Sequence, residues 1–132
     1  MLAAALLGEE ARGQEATRLL EASALLLAPA HWKAELTSVV WKAVVFRGLG
    51  AERGAEALRN ADAAPITSID VAELWHGALA RAVAARQSPY DTLFVELAQR
   101  EGIPMASYDE PLRKKFPDVV FAPSALLRGG KA

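Results

Sequence analysis

Short apolar runs alternate with helix-length periodic segments along nearly the whole chain, and that alternation limits the folds open to it. Ala24-Leu-Leu-Leu-Ala28, stopped by Pro29, has the length and composition of a buried strand. Pro65-Ile-Thr-Ser-Ile69, Ile103-Pro-Met-Ala-Ser107 and Val119-Val-Phe-Ala122 read the same way. Between them lie segments with apolar residues three and four apart. One runs over 9–22, with Ala16, Leu19 and Leu20 on one face. A longer one over 30–46 carries Trp32, Leu36, Val39, Val40, Ala43 and Val44, and Arg47-Gly-Leu-Gly50 stops it. Further helices are expected over 51–61, over 71–85 behind an Asp70 cap, over 89–101 before Gly102, and over 109–115. Strands alternating with helices predict an α/β fold with a mainly parallel sheet covered by helices on both faces. No repeat, low-complexity stretch or linker interrupts the pattern, so residues 1–132 are expected to form a single domain.

Composition narrows the chemistry. The chain has no Cys and two His, His31 and His76, which excludes disulfides and thiolate sites and argues against a His-rich zinc centre. Fifteen Lys and Arg against sixteen Asp and Glu give a net charge of −1, so bulk charge does not bind nucleic acid. Any such contact needs a local basic patch, and Arg113, Lys114 and Lys115 form the one run, although a solvated surface is the commoner use of such charges. Met1-Leu-Ala-Ala-Ala-Leu-Leu-Gly8 is too short and too poor in basic flanks for a signal peptide, and no apolar run reaches membrane-spanning length. A soluble, cytoplasmic protein is expected. The tail from Arg128 reads as loose.

Three acids stand at places where an α/β fold gathers its functional groups, the C-terminal ends of strands and the helix starts beside them. In Ser88-Pro-Tyr-Asp91, Ser88 is a good N-cap, Pro89 suits the first helical position, and Asp91 falls where a capping box puts an acid. Asp91 also shares a face with Phe94, Val95 and Ala98, which aims it toward the sheet edge. Asp109 reads equally as the cap of a short helix and as a carboxylate closing a strand. Glu35 borders the apolar stripe of its helix, with Val39 one turn on and His31 one turn back, so an i+4 cation does not explain it. It is either a rim residue or part of a metal or acidic cluster. Three carboxylates without His or Cys favour a hard cation, Mg²⁺ or Mn²⁺, of the kind that assists phosphodiester cleavage. Trp32, Trp41 and Trp75 read as core or interface rather than base-stacking platforms, and both His as surface or rim residues.

The ordered set Leu6-Leu-Gly-Glu-Glu10, Ala28-Pro-Ala-His-Trp-Lys-Ala-Glu35 with Val40-Trp-Lys42, Ser88-Pro-Tyr-Asp91 with Leu97-Ala98, and Gly102-Ile-Pro-Met-Ala-Ser-Tyr-Asp109 with Lys115-Phe-Pro117 resembles PIN-domain ribonucleases, especially the VapC-like toxins of toxin–antitoxin pairs. The resemblance implies a PIN-like parallel sheet flanked by helices. It implies a Mg²⁺- or Mn²⁺-dependent endoribonuclease with an RNA substrate, a cognate antitoxin protein as partner, and self-association into a dimer. By the same resemblance Glu35, Asp91 and Asp109 take the places of the second, third and fourth family acids, while Ser107 and Ser88 take those of supporting polar residues. The family's first acid ends an N-terminal strand that has no counterpart here. Alignment puts it about three positions before Met1. The sequence is therefore expected either to start late, or to be a shortened relative that binds without cleaving. A phosphoacceptor domain, which needs an early acid pair after a strand, fits poorly because Glu9 and Glu10 follow none.

Overall fold

The computed structural model describes residues 10–23 and 25–129. The motif residues Leu6 to Glu9, the first residue of the expected strand at Ala24, and the last three residues of the tail lie outside them. Two compact units are present. One takes the described residues up to Leu26 together with His31–Ile66; the other takes Leu27–Ala30 and the described residues from Thr67 onward.

The first unit is helical. It contains α1 (Glu10–Ala22), α2 (Trp32–Phe46) and α3 (Ala51–Ala63). Trp32, Leu36, Val40 and Ala43 repeat at helical spacing, and all four are buried on α2. Gly54, Ala57 and Ala61 do the same on α3. The two helices approach closely enough that a Cβ at Gly54 would stand 2.9 Å from Val40 Cγ1. The expected helix stop is real. Gly48 adopts a left-handed φ of 73°, and the Arg47 and Leu49 N–H groups both donate to the Ala43 carbonyl. Trp41, Val45 and Phe46 stay largely exposed, with the Trp41 and Phe46 rings edge to face at 5.7 Å.

The second unit holds most of β1 (Leu26–Pro29) and β2 (Ile66–Ile69), which pair with each other. It continues through a 3-10 turn (Val71–Glu73), α4 (Trp75–Ala85), α5 (Pro89–Glu101), β3 (Met105–Ala106), α6 (Glu110–Lys115), β4 (Val120–Phe121) and α7 (Pro123–Leu127). The last helix has no counterpart in the sequence reading. β3 and β4 run parallel, with Met105 opposite Val120 and Ala106 opposite Phe121. The class is α/β, as the alternation predicts, but the described strands form two short pairs rather than one broad sheet. Prolines explain part of this. Pro104 just before β3 and Pro117 just before the β4 segment have no N–H to give to a ladder, and Pro123 opens a helix directly after β4.

α5 is the centre of this unit. Thr92, Leu93, Val95, Glu96, Leu97 and Ala98 are all buried, which covers more than one face. Leu93 and Leu97 join Leu74 and Ala78, with Leu27, Ile69 and Val71 at the margin. Val95 packs the other way with Leu112 and Val120. The helix expected over 71–85 is broken at Leu74. Asp70 Oδ1 accepts the Ala72 N–H at 2.9 Å, and the following bonds are of the tighter i to i+3 type. That turn drives Leu74 into the core at 1% exposure before α4 begins.

Two polar contacts fix α4 against α5. Thr92 Oγ1, fully buried, donates to the Ala78 carbonyl at 2.7 Å. The Glu96 carboxylate, with 11% of its side chain exposed, receives Arg81 Nε on one oxygen and Arg100 Nε on the other, both at 2.9 Å. Gly77 makes room for it: a Cβ there would lie 2.4 Å from Glu96 Cδ. A mid-helix Gly→Ala change ordinarily stabilises by about 1 kcal/mol. Here the carboxylate cannot retreat without releasing an arginine, an overpacking cost of about 1–3 kcal/mol. Gly77→Ala is therefore expected to lower stability in urea denaturation, and Glu96→Ala in the same chain to return part of the loss.

Candidate functional site

Asp91 stands in the first turn of α5, and the local sequence explains how it is placed. Ser88 is the N-cap, its Oγ accepting the Tyr90 N–H at 3.2 Å, and Pro89 occupies the first turn. The reciprocal half of a capping box would turn Asp91 back to the Ser88 N–H. Instead, Asp91 Oδ2 accepts a hydrogen bond from Gln87 Nε2 at 2.7 Å. Capping belongs to Ser88 alone, and Asp91 is left half-buried with a neutral amide as its partner. Among the described residues its other oxygen, Oδ1, takes no hydrogen bond or ion pair. The sequence reading passed over Gln87. The i, i+4 spacing of Gln87 and Asp91 was the available signal, but it spans a loop-to-helix junction where helical spacing is not expected to apply.

Asp109 realises both of its readings at once. As N-cap of α6, its Oδ1 accepts the Leu112 N–H at 3.1 Å. Oδ2 makes no hydrogen bond among the described residues. Ser107 supports it directly, its Oγ accepting the Asp109 N–H at 3.0 Å. Both residues follow β3, so the carboxylate sits just beyond the C-terminal end of a parallel strand.

Glu35 lies in the first unit, in the first turn of α2. Its neighbour is His31, whose Nε2 stands 3.2 Å from Glu35 Oε1. The sequence reading weighs His31, one turn back, and sets it aside as a weak partner; the structure pairs Glu35 with that residue. Of the two histidines read as surface or rim residues, His31 is at the rim, with 12% of its side chain exposed, and His76 is exposed. Of the three tryptophans, Trp32 is core at 6% exposure, and Trp41 and Trp75 are more than half exposed.

The basic run on α6 is largely committed to the protein itself. Arg113 donates to the Ser107 carbonyl at 2.9 Å, and Lys115 to the Arg86 carbonyl at 3.0 Å. Lys114 pairs with Glu110 at 3.0 Å on an exposed face, a contact worth about 0.3–0.5 kcal/mol. Arg113 and Lys115 thus brace the backbone beside Asp109 and Asp91.

Within either unit, and among the described residues, no three His, Asp or Glu side chains gather into a metal-holding group. The donor chemistry still suits a hard cation: carboxylates only, with an unused oxygen on both Asp91 and Asp109. No described helix is long and apolar enough to cross a membrane. The PIN domain family model matches residues 2–116, which takes in every acid above and reaches into both units. No curated protein matches the chain.

Since Asn also caps helices, Asp109→Asn is expected to leave thermal stability unchanged, while Asp109→Ala costs about 1 kcal/mol. Asp91→Asn is likewise expected to be silent in denaturation, because Ser88 carries the cap.

Proposed function

This chain belongs to the PIN domain family, whose members are typically nucleases, and from that premise we propose that it is a Mg²⁺- or Mn²⁺-dependent endoribonuclease, the VapC-like toxin of a toxin–antitoxin pair. In this reading residues 1–132 act as one PIN-like domain. Asp109 would hold the cation and Asp91 would bind it or orient the attacking water, while Glu35 is assigned as a ligand by family position alone. When bound, such an ion lowers the pKa of water and stabilises charge on the scissile phosphate.

The observation that carries the reading is Asp91. A half-buried carboxylate at a helix N-terminus, relieved of capping by Ser88 and held by an uncharged amide, keeps its negative charge and one oxygen for another task. Asp109 supports it with its unused oxygen beyond β3, braced by Ser107. With Arg113 and Lys115 tied to backbone carbonyls, the RNA contacts we assign to residues 113–115 fall chiefly to Lys114, whose pairing with Glu110 is exposed and exchangeable.

A protein partner, the antitoxin or a second copy, is supported by an outward apolar stripe on α4. Trp75, Leu79 and Val83, four residues apart, are each more than half exposed. The reading places the enzyme in the cytoplasm, where its RNA substrate is.

Cleavage of a single-stranded RNA by the purified chain is expected to require Mg²⁺ or Mn²⁺, to stop with chelator, and to return on adding metal. Asp91→Asn is expected to lower the rate at least ~10²-fold at unchanged melting temperature. A rate equal to wild type in that variant would sink the nuclease assignment. A folded chain without cleavage that still captures a partner would instead favour a PIN-like binding protein.

A further inference from the structure

We propose that Gln87 is a positioning residue for Asp91: it orients the carboxylate and thereby sets the affinity of the site for a divalent cation. The inference rests on the metal-dependent reading above and adds to it a residue outside the acid set.

Gln87 occupies the turn between α4 and α5, and its backbone is held from both sides. Arg86, the residue before it, is the one non-glycine residue with a positive φ among those described, at 52°. A left-handed arginine costs on the order of 1 kcal/mol, so the surroundings must impose it. They do so through bonds from the Arg86 and Gln87 N–H groups to the Ala82 carbonyl, and from Lys115 Nζ to the Arg86 carbonyl. On the other side, the Ser88 carbonyl accepts the Asp91 and Thr92 N–H groups. The Cα of Gln87 is thus fixed relative to the start of α5, and its half-buried side chain spans to Asp91 Oδ2 at 2.7 Å.

The choice of an amide matters chemically. An ionised carboxylate is acceptor-only, so an N–H donor satisfies one oxygen and restricts rotation about the Cβ–Cγ bond. A lysine or arginine would do the same while cancelling the charge and competing with a metal ion. Glutamine donates without a charge, so Asp91 keeps its full negative charge and presents Oδ1, which takes no hydrogen bond among the described residues. Outer partners of ligating groups typically change metal affinity by 10–100-fold when removed.

The test is calorimetric titration of Mn²⁺ into the full chain, with the melting temperature of the metal-free protein measured beside it. Gln87→Met keeps the length and removes the donor. It is expected to weaken Mn²⁺ binding about tenfold, with a melting temperature within about 2 °C of wild type. Gln87→Asn, one methylene too short to reach, is expected to behave alike. Arg86→Gly, which relieves the left-handed strain and leaves the amide in place, is expected to bind as wild type does. Wild-type affinity in both Gln87 variants would overturn the positioning role and leave the metal reading standing. A lowered melting temperature with unchanged affinity would overturn it too, assigning Gln87 to the fold alone. Absence of Mn²⁺ binding in wild type, or binding indifferent to Asp91→Ala, would overturn the metal reading and this inference with it.

Discussion

Glu96 is a carboxylate drawn almost wholly out of water and held between two guanidinium groups, Arg81 from α4 and Arg100 one turn on in α5. Desolvating an acid costs several kcal/mol, and Coulomb attraction to one partner seldom does more than offset it. Two charge-assisted hydrogen bonds, one to each oxygen, make the arrangement tolerable. The Arg100 contribution is the weaker, because that side chain is half in solvent. What the arrangement provides is geometry. It can form only where α4 comes close, and α4 comes close only because Gly77 has no side chain. Thr92, donating to the Ala78 carbonyl one turn away, repeats the constraint. With α4 and α5 fixed in register, the Leu74–Ala78–Leu93–Leu97 cluster closes on one side of α5 and the Val95–Leu112–Val120 cluster on the other. The start of α5, where Asp91 stands, inherits its position from that packing.

The acids of the candidate site are tied into the fold in different ways. Ser88 takes the whole task of capping α5 and leaves Asp91 to Gln87. Asp109 has no such deputy and gives one oxygen to α6. Its remaining freedom is set by Ser107, whose hydroxyl pins the Asp109 N–H and whose carbonyl is braced by Arg113. Helix termini suit this double use, because an exposed N–H group there can take one carboxylate oxygen and leave the other.

Much of the second unit was legible because its boundaries are set by chemistry acting within one turn. Ser88 and Pro89 start α5, and Gly102 ends it in a left-handed conformation at φ 64°, so both ends match the sequence reading. Gly48 closes α2 by the same local rule. The break at Leu74 was not legible. Periodicity continues through it, and only the core waiting for Leu74 makes the tighter turn favourable. Strand extent was overestimated for a related reason: an apolar run states that a segment is buried, and the partner strand and its prolines decide how much of it pairs.

The sequence by itself determined the α/β alternation, the helix ends written by Ser, Pro and Gly, and which carboxylates stand at element ends. Each of these depends on residues within a few positions of one another, where backbone sterics and capping act. Tertiary structure alone decided which side chains serve the acids. Arg81 reaches Glu96 across fifteen positions and Lys115 reaches the Arg86 carbonyl across twenty-nine, and no local pattern encodes either contact. It also turned two of three charges in a basic run that reads chiefly as a solvated surface, Arg113 and Lys115, into braces for the protein's own backbone, because a cation is captured by whichever carbonyl folding brings within reach.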